Sequence, residues 1–131
     1  MKVNIDIDAV IRIPVTEDTL YYNWMLYTKP IHNLTLTEIA VAASLLKHRN
    51  RLEGLVSDPS ILDREVLGNT VRNEVIKECN ITIKHYRMIM TNLRKHKFII
   101  DGRINKKFIP DVNKERNTFN TVLKFEIKKK K

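Results

Sequence analysis

The sequence contains few residues that cross-link a chain, bind metals or interrupt regular structure. Its 131 residues include one cysteine, Cys79, so no internal disulfide can form, and we interpret it as a buried structural cysteine. The histidines lack the spacing of metal ligands: His32, His48, His85 and His96. With three glycines, four prolines and 43% hydrophobic residues, a collagen-like or disordered chain is excluded, and the length fits one hydrophobic core.

Features of membrane, exported and catalytic proteins are also missing. No run approaches the roughly 20 apolar residues of a membrane helix, and residues 1–8 carry two acids where a signal peptide has a basic stretch. There is no glycine-rich phosphate loop, no serine or cysteine nucleophile motif and no carboxylate pair with catalytic spacing. We therefore expect a cytoplasmic protein that is not an enzyme, has no membrane partner and uses no metal or cofactor.

Positive charge is abundant and concentrated in the second half of the chain. Residues 1–65 contain 7 Lys and Arg against 9 Asp and Glu, a balance of −2, whereas residues 66–131 contain 17 against 6, a balance of +11. Clustered cations favour a polyanionic partner because they displace counterions from phosphate backbones. The alternative is a basic surface that only keeps the protein soluble.

Both ends of the chain alternate between apolar and polar residues. Every odd position from Val3 to Val15 is apolar, and the same period of two recurs from Phe119 to Ile127. Period two is typical of a half-buried β-strand, so we predict two long terminal strands that share one sheet. The first is longer than a small domain needs, and part of it is predicted to project as an arm.

A first helix is predicted between these strands, beginning at Thr16 and ending at Lys29-Pro30. Thr16 is a favourable N-cap, and the two acids that follow it suit the first helical turn. Three aromatic residues lie close together in this helix: Tyr21, Tyr22 and Trp24. They predict an anchor packed in the core or an interface; a platform for stacking bases is the alternative.

Two further helices are predicted before residue 70. One begins at Thr35 or Thr37 and frays over residues 48–51, and a loop follows at residues 54–57. Its predicted buried residues are Ile39, Val41, Ala42, Leu45 and Leu46. The next begins at Asp58-Pro59, a cap followed by proline at the first helical position, and ends at Gly68-Asn69.

Residues 70–96 form a predicted pair of helices with an unequal distribution of charge. The first ends near Cys79-Asn80, and asparagine tolerates the left-handed conformation that such a turn needs. The second runs from Ile81-Thr82 to about His96 and is expected to bury Ile83, Tyr86, Ile89, Met90 and Leu93. Its opposite face displays Lys84, His85, Arg87, Met88, Thr91, Asn92, Arg94 and Lys95. This face offers the donors that phosphates and base edges accept.

A basic hairpin is predicted immediately after the second helix. Asp101-Gly102 lies between two apolar runs, and this pair is a strong hairpin signal because it tolerates positive φ. The predicted hairpin continues through Arg103 and the run NKKFIP at residues 105–110.

The order of these elements resembles the winged helix-turn-helix family of DNA-binding proteins. The run EVIKECNITIKHYRMIMTNLRKHKF at residues 74–98 is similar to the family's short helix, turn and recognition helix, and residues 98–105 are similar to its wing. NKKFIP resembles the end of the wing in phage and plasmid replication initiators; MarR-like transcription regulators carry a similar module. The resemblance implies an α+β fold, a winged helix-turn-helix with additional long N- and C-terminal β-strands.

The resemblance also implies which residues would contact double-stranded DNA. Thr82 would cap the recognition helix, the exposed face of that helix would enter the major groove, and the wing would lie near the backbone or minor groove. The implied DNA-binding residues are Thr82, Lys84, His85, Arg87, Met88, Thr91, Arg94, Lys95, Arg103, Lys106 and Lys107.

Two functions follow from these expectations. The first is a DNA-binding transcription regulator or replication accessory of a phage, plasmid or bacterium. The second is a structural or assembly protein, such as a virion component, that forms a homo-oligomer or other assembly through its terminal strands. In both cases residues 1–131 are expected to form one domain, with an N-terminal strand and aromatic helix at 1–33, the winged-helix module at 34–110, and the C-terminal strand and basic tail at 111–131.

Overall fold

The computed structural model describes residues 11–113, 115–121 and 127–128. This part of the chain is mostly helical, with one small antiparallel sheet, an arrangement compatible with the α+β class. The helices are α1 Glu17–Tyr27, α2 Lys29–His32, α3 Leu36–Glu53, α4 Pro59–Val66, α5 Asn69–Cys79 and α6 Ile83–Lys95. The strands are β1 Ile99–Ile100 and β2 Arg103–Ile104, and a 3-10 turn follows at Lys106–Phe108.

Most helices begin where a short polar side chain accepts a backbone N–H that the helix leaves unpaired. The predicted caps of α1, α4 and α6 are confirmed: Thr16 accepts from the N–H of Thr19, Asp58 from Ser60 and Thr82 from His85. At α3 the cap is reciprocal. Thr35 accepts from the N–H of Glu38, while the Glu38 carboxylate accepts the N–H of Thr35 at 2.9 Å.

Helix α3 lies at the centre of the molecule and packs against α1, α4, α5 and α6. Its five predicted core residues, Ile39 to Leu46, are all buried, and they join one hydrophobic cluster with residues of the other elements. The fully buried side chains that α6 and the hairpin region contribute include Leu93 and Phe98. Helices α5 and α6 pack on this central helix, which fixes their relative positions, and the hairpin packs against α6 and α4.

The predicted hairpin is confirmed, although its strands are short. Ile99 pairs with Ile104 and Ile100 with Arg103, so only two residues separate the strands. Asp101 and Gly102 adopt positive φ of 53° and 74°, the conformation that a two-residue type I′ turn requires. The chain then leaves the sheet at Asn105, whose side-chain oxygen accepts the N–H of Lys107 at 3.1 Å and starts the 3-10 turn.

The aromatic residues of α1 are packing residues, as the sequence favoured. Tyr21 is buried, and Trp24 is half-buried with its indole Nε1–H donating to the carbonyl of Phe108 at 2.8 Å. The Trp24 ring also meets Phe119 edge to face, with centroids 5.0 Å apart. Helix α1 therefore anchors the segment that follows the hairpin, and its tryptophan is not free to stack on bases.

The predicted terminal strands fall largely on residues that are not described. Residues 3–10 and 122–126, and with them the predicted pairing of the two strands, lie outside the described residues. Residues 11–15 are described and form no strand. The apolar side chains of this segment are exposed, 87% for Ile11 and 59% for Ile13, because none of the described helices or strands covers them.

Three local predictions need correction. Helix α3 does not fray at residues 48–51 but continues to Glu53, because His48 is bonded to α5 and Arg49 pairs with Glu53. Helix α4 ends at Val66, two residues before the predicted Gly68, whose N–H still donates to the carbonyl of Glu65 and which is also the N-cap of α5. Ile83 is 43% exposed, because it occupies the first position of α6 at the edge of the buried face.

Within the described ranges, no helix has both the length and the apolar composition needed to cross a membrane.

Candidate nucleic-acid interface

A tight turn joins α5 to α6. Asn80 ends α5 in the left-handed conformation, with φ 52° and ψ 52°, as its sequence position predicted. Thr82 then caps α6, its hydroxyl accepting the N–H of His85 at 3.1 Å. The predicted capping role of Thr82 is therefore confirmed, and the reversal between the two helices takes only three residues.

One face of α6 is buried and the opposite face is exposed. Tyr86, Ile89, Met90 and Leu93 are buried against the core, which confirms the predicted register of this helix. The exposed residues include all seven predicted contact positions on the helix: Lys84, His85, Arg87, Met88, Thr91, Arg94 and Lys95. At 100° per residue, Lys84, Arg87, Met88, Thr91 and Lys95 form the centre of this exposed face.

The exposed face of α6 carries uncompensated positive charge. Residues 80–110 contain eight Lys and Arg but a single acid, Asp101. The ion pairs found among the described residues all use basic side chains of α3, namely Lys47, His48 and Arg49. No cation of α6 has an ion-pair partner in the same described ranges. The charge of α6 is therefore directed to solvent.

Asn92 differs from the exposed residues of α6 because its side chain bonds to another helix. Its side-chain Nδ2 donates to Oε2 of the buried Glu38 at 2.7 Å, joining α6 to the start of α3. Burial disfavours the charged form of this carboxyl, but the hydrogen bonds from Thr35 and Asn92 outweigh it and lower the pKa of Glu38 below its ordinary value. Asn92 thus holds the orientation of α6 and leaves its amide little freedom to contact DNA.

A second polar cluster holds α5 on α3. The Ser44 hydroxyl donates to Glu78 at 2.7 Å, and the ring nitrogens of His48 lie 3.1 Å from Glu74 and 3.0 Å from Glu78. Burial raises the pKa of Glu78, but the bonds from Ser44 and the charges of His48 and Lys47 lower it further, so the net shift is downward. Since α5 leads directly into α6, this cluster also positions the basic face.

Two hydroxyls on the interface are already engaged. The Thr91 hydroxyl donates to the carbonyl of Arg87 at 3.1 Å, one turn earlier in the same helix. The Thr82 hydroxyl accepts from His85 and keeps its own proton available. The sequence placed both among the contact residues; their geometry gives Thr91 an exposed methyl group and Thr82 a donor at the helix start.

The three predicted contacts beyond α6 are exposed but do not all lie on the hairpin. Arg103 is on β2 and lines an open cleft with Asp63 and Arg64 of α4. Lys106 and Lys107 lie on the 3-10 turn after the hairpin, because the chain leaves the sheet at Asn105. The prediction that these two lysines belong to the wing is therefore corrected: they lie in the turn that follows the hairpin.

One basic residue near this surface was not predicted. Lys97 is exposed, has a positive φ of 63° and connects α6 to β1. The excess of cations over residues 80–110 was the signal that could have included it. The Asn105 side chain donates to the carbonyl of Lys97 at 3.0 Å, which fixes this connection beside the helix end.

Cys79 and the histidines belong to no metal-binding group in the described residues. No group of three or more His, Cys, Asp and Glu side chains in those ranges is arranged to hold a metal ion. Cys79 is half-buried, and burial together with the nearby Glu78 raises the pKa of its thiol, which keeps it in the unreactive neutral form.

No protein-family model, curated protein sequence or solved structure matches this chain.

Proposed function

We propose that this protein is a winged helix-turn-helix protein that binds double-stranded DNA through α6. The observation that carries the proposal is the exposed face of α6, which presents Lys84, Arg87 and Lys95 without an acid among the residues of the helix. A core-packed helix with a cationic outer face is what a phosphate-lined groove requires.

The arrangement of the elements supports this docking. Helix α6 has 13 residues and a length of about 20 Å, enough to lie along the major groove, which is about 12 Å wide. Its central residues would face base edges. Arg94 and His85 flank that centre and would lie nearer the phosphates. Helices α3 and α5 would hold α6 at the angle set by Asn80.

The short hairpin favours a particular role for the wing. Its strands have two residues each, about 7 Å, so the tip is too short to reach deep into a minor groove. Arg103, Lys106 and Lys107 would therefore contact the phosphate backbone. Such contacts strengthen binding to any duplex without selecting a sequence.

The biological role that fits this activity is that of a transcription regulator or replication accessory of a phage, plasmid or bacterium, acting in the cytoplasm. This assignment depends on the resemblance to phage and plasmid initiators and MarR-like regulators. Neither a cofactor nor catalysis is part of the proposed function.

Two substitutions test the proposal because they remove different kinds of contact. Arg87→Ala should relax sequence preference at a cost of about 1–3 kcal/mol, whereas Lys107→Ala should weaken all duplexes alike and reduce the salt dependence by about one ion. Both side chains are exposed, so neither change should unfold the protein. Arg51→Ala is the matched control, because this exposed cation lies in the last turn of α3 and not on α6 or the hairpin.

The measurement is fluorescence anisotropy with labelled duplexes at several salt concentrations, with sequences drawn from a selection on random DNA. We expect Arg51→Ala to bind like the wild type. Wild-type binding that is weak, indifferent to sequence and unchanged by Arg87→Ala would contradict the proposal.

Exposed apolar residues of the first described segment favour one alternative. Ile11 and Ile13 belong to an alternating run and are not covered by any other described residue, which suits a strand that pairs with a neighbouring protein in an assembly such as a virion. Under this alternative the native mass of the purified protein would exceed that of a monomer, and removal of residues 1–13 would dissociate the oligomer. Native mass spectrometry and duplex binding on the same sample distinguish the two functions.

A further inference from the structure

An exposed methionine lies at the centre of the basic face of α6. Met88 is 61% exposed, and its neighbours on the helix surface are Lys84 one turn before it and Thr91 one turn after it. A large apolar side chain in water gains nothing from a surrounding of cations. Its position suits a ligand that combines an apolar group with negative charge.

Thr91 adds a second apolar group beside Met88. Its hydroxyl proton is used by the carbonyl of Arg87, so the side chain does not offer a donor to a base. The group it adds to the exposed face is its methyl. Together, Met88 and Thr91 form a small apolar patch, flanked by Lys84, Arg87 and Lys95.

Only one standard base presents an apolar group of this kind in the major groove. Thymine carries a C5 methyl there, next to the O4 acceptor, whereas the major-groove edges of guanine and adenine present acceptors and an amino group. An apolar patch between cationic donors matches that combination of methyl and acceptor. Binding of the thymine methyl would remove apolar surface from water on both sides.

We infer that Met88 and the Thr91 methyl read thymine methyl groups in the major groove, so that the preferred ligand is duplex DNA with thymine at the contacted step. This inference rests on the proposed function, and it names a base class that the proposed function leaves open. The other exposed apolar residues nearby do not belong to the patch: Ile83 is at the edge of the helix and Ile100 is on β1.

The test compares duplexes that differ only in that methyl group. The probes are labelled 24-base-pair duplexes of alternating dA·dT and alternating dA·dU, titrated by anisotropy at one salt concentration. The wild type should prefer the thymine duplex by about four- to fifteenfold, the effect of burying one or two methyl groups. Met88→Ala should reduce this ratio to below about twofold.

Lys84→Ala is the control that separates charge from methyl recognition. It should weaken binding to both duplexes and leave their ratio as in the wild type, because a phosphate or O4 contact is the same in each. A second pair, alternating dG·dC with cytosine or 5-methylcytosine, adds a methyl at the equivalent groove position. The wild type should bind the methylated form more tightly, and Met88→Ala should not.

The outcomes distinguish this inference from the function on which it rests. If neither alternating duplex nor any selected duplex binds, both are overturned. If thymine and uracil duplexes bind equally well, the inference alone is overturned. A thymine preference that survives in Met88→Ala would also overturn it, because some other group would then read the methyl.

Discussion

The hydrogen bond between Glu38 and Asn92 predicts how firmly α6 is held on α3. Removing the Asn92 amide leaves a carboxylate oxygen without a partner in a residue that is only 6% exposed. The loss of a hydrogen bond to a buried charged group costs about 1.5–3 kcal/mol. Alanine is a better helix former than asparagine by about 0.6 kcal/mol. Asn92→Ala should therefore destabilise the protein by about 1–2.5 kcal/mol.

Glu38→Ala should cost more, because the carboxylate serves two donors. It accepts the N–H of Thr35 as part of the helix cap and the amide of Asn92 at the same time. We expect a loss of about 2–4 kcal/mol. The double variant should lose less than the sum of the two single variants by about 1–2 kcal/mol, because the same bond is removed in both.

Urea unfolding of the wild type, the two single variants and the double variant at pH 7 measures this coupling. Thr37→Ala, an exposed position in the same turn, is the control and should change stability by less than about 0.5 kcal/mol. Effects that add within about 0.5 kcal/mol would refute the reasoning, since independent sites behave in that way. Asn92→Ala should also weaken duplex binding even though Asn92 is assigned no base contact, because α6 would lose its fixed orientation.

The remaining predictions concern acid stability and the start of α6. The buried His32 accepts the N–H of Leu34 at Nδ1 and donates from Nε2 to the Met25 carbonyl; burial, followed by smaller effects including the charge of Lys29, lowers its pKa from 6.5. Because the pKa of His32 is lower in the folded state, the free energy of unfolding should fall as pH drops below 6.5 toward that lower value. Denaturant unfolding at pH 7.5, 6.5 and 5.5 measures this dependence on pH, and His32→Gln should reduce it. A pH dependence that His32→Gln leaves unchanged would contradict this prediction. Lys84→Glu should raise stability by about 0.3–1 kcal/mol, because it replaces a cation near the positive end of α6 by an anion. The same change should weaken duplex binding, and thermal unfolding and anisotropy on one sample measure the two effects. A loss of stability would contradict the expected interaction of residue 84 with the helix dipole.

Features set by neighbouring residues were predictable from the sequence. Thr16, Asp58 and Thr82 cap helices because a short polar side chain reaches an N–H two or three residues away, whatever the rest of the chain does. Asp101-Gly102 turns the chain for the same reason, since the required positive φ is a property of those two residues. The register of α6 also follows from local spacing, as the burial of Leu93 shows.

Contacts between distant residues were not predictable in this way. The bond from Trp24 to the Phe108 carbonyl joins positions 84 apart, and Glu38 and Asn92 are 54 apart. Each pairing exists only after α3 has brought several helices together. The sequence therefore assigned Asn92 to the polar face of α6 correctly but gave no sign that its amide is used by a buried acid.

Alternation alone was a weaker guide at the start of the chain. Period two shows that a strand would have one apolar face, but a strand also needs a partner whose backbone groups it can pair with. Residues 11–15 keep the alternation and have no such partner among the residues that the structure describes, and Ile11 and Ile13 are exposed. The same pattern is therefore compatible with a segment that forms a strand only when it pairs with another protein chain, as the assembly alternative requires.

The placement of charge gives the strongest physical reason to assign a function to α6. On α3, Lys47 and Arg49 are paired with acids of α1, α5 and α3 itself, so their charge contributes to the fold. On α6 the charge opposes the fold, because Lys84 lies in the first turn, where the helix dipole disfavours a cation, and Arg87 lies one turn from it with the same sign. Each of these terms costs only a few tenths of a kcal/mol, yet neutral residues with good helix propensity would remove them. A phosphate backbone near α6 would make the positions of Lys84 and Arg87 favourable, because it supplies the negative charge that no described acid places beside them.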